Sequence, residues 1–332
     1  MTGMSKRERV LAALRGDEVD RPPASFWGHD FLREWSAQDL AAAMVESVQT
    51  YGYDYLKVNP RATYYSEAWG CRYRRPTDPT RQPDVESWVV HEPADLHAVR
   101  PVDATGGPFA EQLEALRLIG DGLGGEVPFV QTVFSPLSVV GRLANSRDNV
   151  RRWMTEAPAA LHSALAAVTE TLAAYARACL EAGADGIFFP TTEWGTQDVC
   201  TPDMYETFGR PYDLRVLDAV QGAPFNILHV CRPNNMLELL LDYPVAALNW
   251  ADRAPGNLSL GEASAKTDKA VMGGVDERNT LLRGTPDDVR AEALDAIQQT
   301  GGRRFLLAPG CSISPQTPPE NLRAAIAAVT GG

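Results

Sequence analysis

The chain has 332 residues, with 31 Lys+Arg against 43 Asp+Glu and a formal net charge of −12. That balance argues against nucleic-acid binding, because neutralising phosphates takes a basic face and only short clusters such as Lys6-Arg7-Glu8-Arg9 and Arg72-Tyr73-Arg74-Arg75 are present. With 44% hydrophobic and 22% charged residues, the chain can bury a full core, which excludes global disorder.

No window reaches the roughly 18 consecutive apolar residues a membrane span needs. The N-terminus, MTGMSKRERVLAALRGDE, reads as a charged amphipathic helix without a signal-peptide core. The expectation is a cytoplasmic protein with no membrane and no nucleic-acid partner. Five cysteines, Cys71, Cys179, Cys200, Cys231 and Cys311, are too scattered for a disulfide framework in so long a chain. A cysteine with a task here is a ligand or a nucleophile.

In chain order, short apolar runs bounded by turn residues recur at Pro22 to Gly28, Tyr53 to Asn59, Pro128 to Phe134, Gly186 to Thr191, Pro224 to Cys231, Ala246 to Ala251, Lys269 to Val275 and Arg303 to Gly310. Stretches of helical periodicity separate them: Ala37 to Thr50, Phe109 to Ile119, one long helix or a pair across Ser146 to Ala182, Pro202 to Val220, Pro233 to Leu241, Pro286 to Gln299 and Pro319 to Val329. Thr285-Pro286-Asp287-Asp288 carries helix-start chemistry, with Thr285 as cap, Pro286 in the first turn and Asp288 closing a capping box. Strands alternating with helical crossovers predict an α/β fold, a single (β/α)8 TIM-type barrel over residues 1–332. An open doubly wound sheet is the runner-up, and no G-x-G-x-x-G after a first strand favours it. Residues 61–107, rich in Pro, Arg and aromatics, read as an insertion over the barrel mouth after the second strand.

Barrel enzymes carry reactive groups at the C-terminal ends of strands. The fifth run ends Leu228-His229-Val230-Cys231, and strand alternation puts His229 and Cys231 on one side, about 7 Å apart along the chain. The eighth ends Ala308-Pro309-Gly310-Cys311, which brings a second thiol to the same rim. One imidazole and two thiolates form a soft donor set that suits Zn²⁺ and leaves a fourth position open. A buried cysteine that only packs is the plainer alternative. Glu193 follows the fourth strand and offers an exchangeable fourth ligand, a hydrogen bond to substrate or simply a solvated loop acid. His29 and Asp30 follow the first strand and are placed to orient substrate or to pair with Arg61. Asp276 follows the seventh strand, as support for a ligand or as a cap. Trp27, Trp69, Trp194 and Trp250 lie near the expected mouth, as an apolar wall or as packing.

The run GGVDERNTLLRGTPDDV followed by RFLLAPGCSISPQTPPENLRAAIAAV, with the opening KRERVLAALRGDEVDRPP, resembles the uroporphyrinogen decarboxylase superfamily over nearly the whole chain. The resemblance implies a (β/α)8 barrel and one of two chemistries: metal-free decarboxylation of uroporphyrinogen, or zinc-dependent methyl transfer between a methylcorrinoid protein and a thiol such as coenzyme M. The decarboxylase branch has an Arg-Gln-Ala-Gly-Arg motif after its first strand, whereas Ser25-Phe26-Trp27-Gly28-His29-Asp30 stands here. Its central aspartate falls near Asn59-Pro60-Arg61, its tyrosine near Phe134 and its late histidine on Cys311. The methyltransferase branch's His-x-Cys pair and late Pro-Gly-Cys fall on His229, Cys231 and Cys311, and Tyr65 to Cys71 is similar to its Glu-Ala-x-Gly-Cys run. Arg232 departs from that branch's glycine. The resemblance therefore implies a zinc-dependent methyltransferase with a thiol or folate acceptor and a corrinoid protein as partner. The alternatives are uroporphyrinogen decarboxylase and a non-catalytic tetrapyrrole- or corrinoid-binding protein.

Overall fold

The computed structural model describes residues 3–331. Its strands are β1 Leu56–Val58, β2 Arg72–Arg74, β3 Asp84–Ser87, β4 Phe129–Thr132, β5 Gly186–Pro190, β6 Ile227–Val230, β7 Ala247–Trp250, β8 Ala270–Val275 and β9 Phe305–Pro309. Seven of them form one parallel, curled sheet in the order β1-β4-β5-β6-β7-β8-β9, while β2 and β3 make a separate antiparallel hairpin. Every residue of the seven is buried, as expected of parallel strands covered on both faces.

Alternation along each strand divides the core in two. Ile187, Phe189, Leu228, Leu248 and Leu307 pack outward against the helices. Tyr55, Val130, Phe188, Ile227, Ala247, Met272 and Leu306 form a smaller inner cluster with Trp27. The helix Lys6–Arg15 closes one end of that cluster with Val10, Ala13 and Leu14.

Pro22 to Gly28 does not form the expected strand. Two prolines remove ladder donors at its start, leaving an extended segment that nevertheless bonds to both sheet edges. Leu307 donates to Pro23 O at 2.9 Å, Ser25 to Leu307 O at 3.1 Å, and Asp54 to Ala24 O at 2.9 Å. Below this seam, Asp54 receives Arg9 Nη1 at 2.7 Å, Arg21 Nη1 at 2.7 Å and the Ala24 N–H at 2.9 Å.

The helix expected over Pro233 to Leu241 is a second correction: only a 3₁₀ turn, Leu237–Leu240, forms there. Arg232 and Asn234 adopt left-handed φ values of 74° and 50°, which breaks any helix start. The Ser146 to Ala182 stretch is a pair, Arg147–Glu156 and Pro158–Glu181. Pro202 to Val220 also divides, at Gly209, into Pro202–Phe208 and Arg210–Asp218. The Thr285 capping box forms as read, with Thr285 N donating to Asp288 Oδ2 at 2.8 Å. Residues 61–107 hold the helix Tyr64–Glu67, the β2–β3 hairpin and the 3₁₀ helix Pro93–Ala98. No helix among the described residues is long and apolar enough to cross a membrane.

Candidate metal centre

His229 lies on the inner face of β6, and Cys231 follows two residues later just past the strand end. Cys311 follows β9 after Gly310, where a Cβ would lie 2.8 Å from Ala251 Cα, so only glycine lets the chain pass this close. The possible donor atoms of His229, Cys231 and Cys311 all lie within 4.8 Å of one another. His229 Nε2 is 3.3 Å from Cys231 Sγ, which is 3.5 Å from Cys311 Sγ. No other such group of three exists among the described residues.

The ring orientation is fixed from behind. His229 pairs with Asn249 across the β6–β7 register, and its Nδ1 lies 2.6 Å from Asn249 Oδ1. Asn249 Nδ2 donates to Met272 O at 3.0 Å and to Pro309 O at 3.1 Å. With the amide nitrogen committed to two carbonyls, the amide oxygen must face His229, so Nδ1 carries the proton and donates. The Nε2 lone pair is thereby free and aimed at the two sulfurs, the second-layer arrangement of a ligating histidine. Phe188 stacks on the ring at 5.0 Å.

The two thiols ionise unequally. A hydrogen bond from Cys231 draws the Cys311 thiol well below its usual range, and the same contact pushes Cys231 well above it. Two sulfurs facing each other and the His229 Nε2 form a soft donor set suited to a cation.

A cavity of about 180 Å³ opens on both thiols; Arg232, Asp252, Asp276 and Glu277 also line it. Burial, and after it the neighbouring Cys311, pushes the Glu277 carboxyl up to about 7. Burial likewise pushes Asp252 up to about 6. Asp252 Oδ1 receives the Gly274 N–H at 3.0 Å, and a Cβ on Gly273 would lie 2.4 Å from that oxygen. Lys57, inside the sheet curl, donates to Asn59 Oδ1 at 2.5 Å and sits 4.8 Å from the Phe188 ring centre; burial pushes it down to about 7.

The structure brings together the three residues read as ligands and places the others around or away from them. The Asp276 carboxylate receives the N–H groups of Arg278 at 2.7 Å and Asn279 at 2.8 Å, so it builds the turn beside Glu277. Glu193 sits in the 3₁₀ turn Thr192–Gly195, within the electrostatic reach of Arg142 and Tyr65. His29 bonds Glu34 at 2.8 Å and stacks on Phe31, while Asp30 lies 3.9 Å from Arg33. Arg61 does not pair with either of them. It binds Glu67, Glu111 and the Glu34 carbonyl, a better match because all three converge on one buried guanidinium. Trp194 and Trp250 are fully buried packing residues.

Sequence reasoning missed Asn249, Asp252, Glu277 and Lys57. The available signal was a polar side chain inside an apolar run, as in Ala247-Leu248-Asn249-Trp250 and Tyr55-Leu56-Lys57-Val58.

The uroporphyrinogen decarboxylase (URO-D) family model matches residues 5–331. The chain belongs to this family. Among characterised relatives it is 26% identical to the methylcobamide:CoM methyltransferase MtaA of Methanosarcina barkeri, covering 99% of this chain and 98% of that protein. It is also 26% identical to MtbA of Methanosarcina acetivorans, with 97% of each covered. Similarity to the uroporphyrinogen decarboxylase of Parasynechococcus marenigrum, 28% identical, covers 68% of this chain and 64% of that one. The structure of a methyltransferase from Methanosarcina mazei superposes with a TM-score of 0.79 at 26% identity, over 98% of both chains.

Proposed function

We propose that this family member is a zinc-dependent methyltransferase that moves a methyl group from a corrinoid protein to a small thiol. The observation that carries the reading is the His229, Cys231 and Cys311 cluster at the strand ends, with Nε2 freed by Asn249. The relatives similar along their whole length support it, being named as methylcobamide:CoM methyltransferases. In the same reading the fold is one (β/α)8 barrel domain over 1–332, with Pro22 to Gly28 as the eighth stave and residues 61–107 as an insertion at the mouth.

The residues divide the work. His229, Cys231 and Cys311 would hold the metal, and the donor chemistry fits zinc with one position left for substrate. Zinc bound there supplies a lowered thiol pKa, so that an acceptor is available as thiolate near neutral pH. Asn249 holds the His229 tautomer. Asp276 fixes the turn that presents Glu277 to the cavity. The acceptor sulfur attacks the methyl carbon as the carbon–cobalt bond of the donor breaks, both electrons of that bond stay with cobalt, and the thiol proton goes to solvent. The cavity of about 180 Å³ beside the two thiols has room for a small thiol.

The test combines elemental analysis of protein purified without chelators with an assay of methylcob(III)alamin and a panel of small thiols, followed by the cobalt spectrum. Close to one zinc per chain and thiol-dependent demethylation are expected. Absence of zinc after reconstitution, or no methyl transfer by zinc-loaded protein, would overturn the reading.

A further inference from the structure

We infer that the acceptor is an amino-acid thiol, carrying an ammonium and a carboxylate on the carbon skeleton that bears its sulfur. The inference rests on the methyl-transfer reading above and names the substrate class of the same cavity.

The lining of the cavity carries both signs of charge. On one side stands Glu277, under a tenth exposed, whose carboxylate crosses the Gly310 backbone so closely that a Cβ on that glycine would lie 3.0 Å from Glu277 Oε2. Asp276 and Cys311 bring like charge toward it, and its cationic neighbour is the exposed Arg278, whose Nε is 3.5 Å away, longer than a good charge-assisted hydrogen bond. Asp252 adds a second buried carboxyl, but one of its oxygens is spent on the Gly274 N–H and the other lies 3.5 Å from Arg253 Nε. Arg253 offers no compensation to a ligand, because its donors go to Gly274 O, Glu292 O and Asp295. The carboxylate of Glu277 is therefore left without a close cationic partner in a space that also holds two sulfurs. A buried carboxyl group in that state is best satisfied by a positively charged donor, which also favours its ionised form.

The second charge is Arg232, an exposed residue immediately after Cys231 that also lines the cavity. Its guanidinium makes no hydrogen bond or ion pair among the described residues. Its φ of 74° is a conformation a non-glycine residue holds only when its surroundings enforce it. Here Asn257 Nδ2 and Asn235 Nδ2 grip the Arg232 carbonyl at 2.9 and 3.4 Å. The strained turn places a free, fork-shaped cation at the cavity rim, matched to a carboxylate.

An acceptor whose sulfur reaches Cys231 and Cys311 thus meets both a buried carboxyl group and a cation in the same lining. An α-amino acid thiol answers both. A thiol with only an anionic group answers Arg232 and brings like charge toward Glu277, while a neutral thiol answers neither; the discrimination is by unpaired charge as much as by attraction.

The binding arm uses calorimetry on the zinc-loaded protein with two S-methylated probes, L-methionine and 2-(methylthio)ethanesulfonate. L-Methionine is expected to bind at least about tenfold more tightly, one charge-assisted contact being worth a factor of that order. Equal or reversed affinities would overturn the inference. The second arm compares kcat/KM for L-homocysteine with that for 2-mercaptoethanol, methylcob(III)alamin being the donor. Glu277→Gln should lower that ratio about tenfold, and Glu277→Asp should recover part of it; a ratio indifferent to both variants would also overturn the inference. If no thiol is methylated at all, the methyltransferase reading falls and the calorimetric order alone decides the ligand class.

Discussion

At the scale of single residues, the site turns on atoms that no metal touches as much as on those that would. Cys311→Ser replaces a soft, acidic donor with a hard and weakly acidic one, so zinc affinity measured by competition with a chromophoric chelator should fall sharply while the metal-free protein keeps its fold. Unchanged affinity would remove Cys311 from the set. Asn249→Leu takes away the acceptor that fixes the His229 tautomer, and an outer partner of this kind is worth roughly 10–100-fold in metal affinity. Zinc titration of the folded variant checks it; a variant that binds like the wild type would show that the ring is oriented by the Phe188 stack instead. The three ligand candidates were legible in the sequence because a His-x-Cys pair and a Pro-Gly-Cys both end apolar runs. Asn249 and Glu277 were not, because a polar residue inside or beside one strand gains meaning only when the register sets Asn249 opposite His229 and the chain crossing at Gly310 brings Glu277 to Cys311.

At the scale of elements, Gly186–Pro190 and Phe305–Pro309 formed within a residue or two of expectation because both are continuous apolar runs closed by turn residues. The β2–β3 hairpin escaped notice, since its exposed charged residues carry no apolar pattern, and the supposed helix after Cys231 failed through backbone conformations that composition does not announce. Between the short helices Pro202–Phe208 and Arg210–Asp218 lies a different element-level feature. Asp213 is fully buried and accepts hydrogen bonds from Tyr205 OH at 2.6 Å and Tyr243 OH at 2.9 Å. Burial pushes its carboxyl up to about 7, so the folded protein keeps the proton that the unfolded chain gives up near the usual carboxylate range. The folded state then binds more protons between those two pH values, and its stability falls as pH rises through that window. Asp213→Asn should flatten that decline and gain on the wild type by about 1 kcal/mol or more at pH 8, read as the difference in urea midpoints between pH 5 and 8. A pH-independent difference between the two proteins would show that Asp213 is already ionised in the fold.

At the scale of the whole molecule, the arrangement that aligns β6 and β9 also depends on how the sheet closes on itself. Alternating strands and helices made the curled parallel sheet legible, but not the place where its pairing is thinnest. That place is the seam at Pro22 to Gly28, where two prolines remove backbone donors and side chains add to the closure. Asp54 is the keystone, since its carboxylate joins Arg9 of the first helix, Arg21, and the Ala24 N–H that continues into the seam. Asp54 and Arg9 are both nearly fully buried, with side-chain exposures of 2% and 7%, and Arg21 is largely so at 21%. Removing the acid would strand two guanidiniums with only Asp20 and backbone carbonyls to share. Breaking a buried pair from one side costs about 3–5 kcal/mol, because the remaining charge stays desolvated. Asp54→Ala should therefore lose that much stability in denaturant unfolding, with a fall in Tm of roughly 5–10 °C, while the fraction that remains folded binds zinc as the wild type does, because the candidate ligands sit at the opposite end of the strands. A loss below about 1 kcal/mol, the scale of an exposed ion pair, would mean that backbone pairing at Ala24 and Leu307 closes the sheet without help.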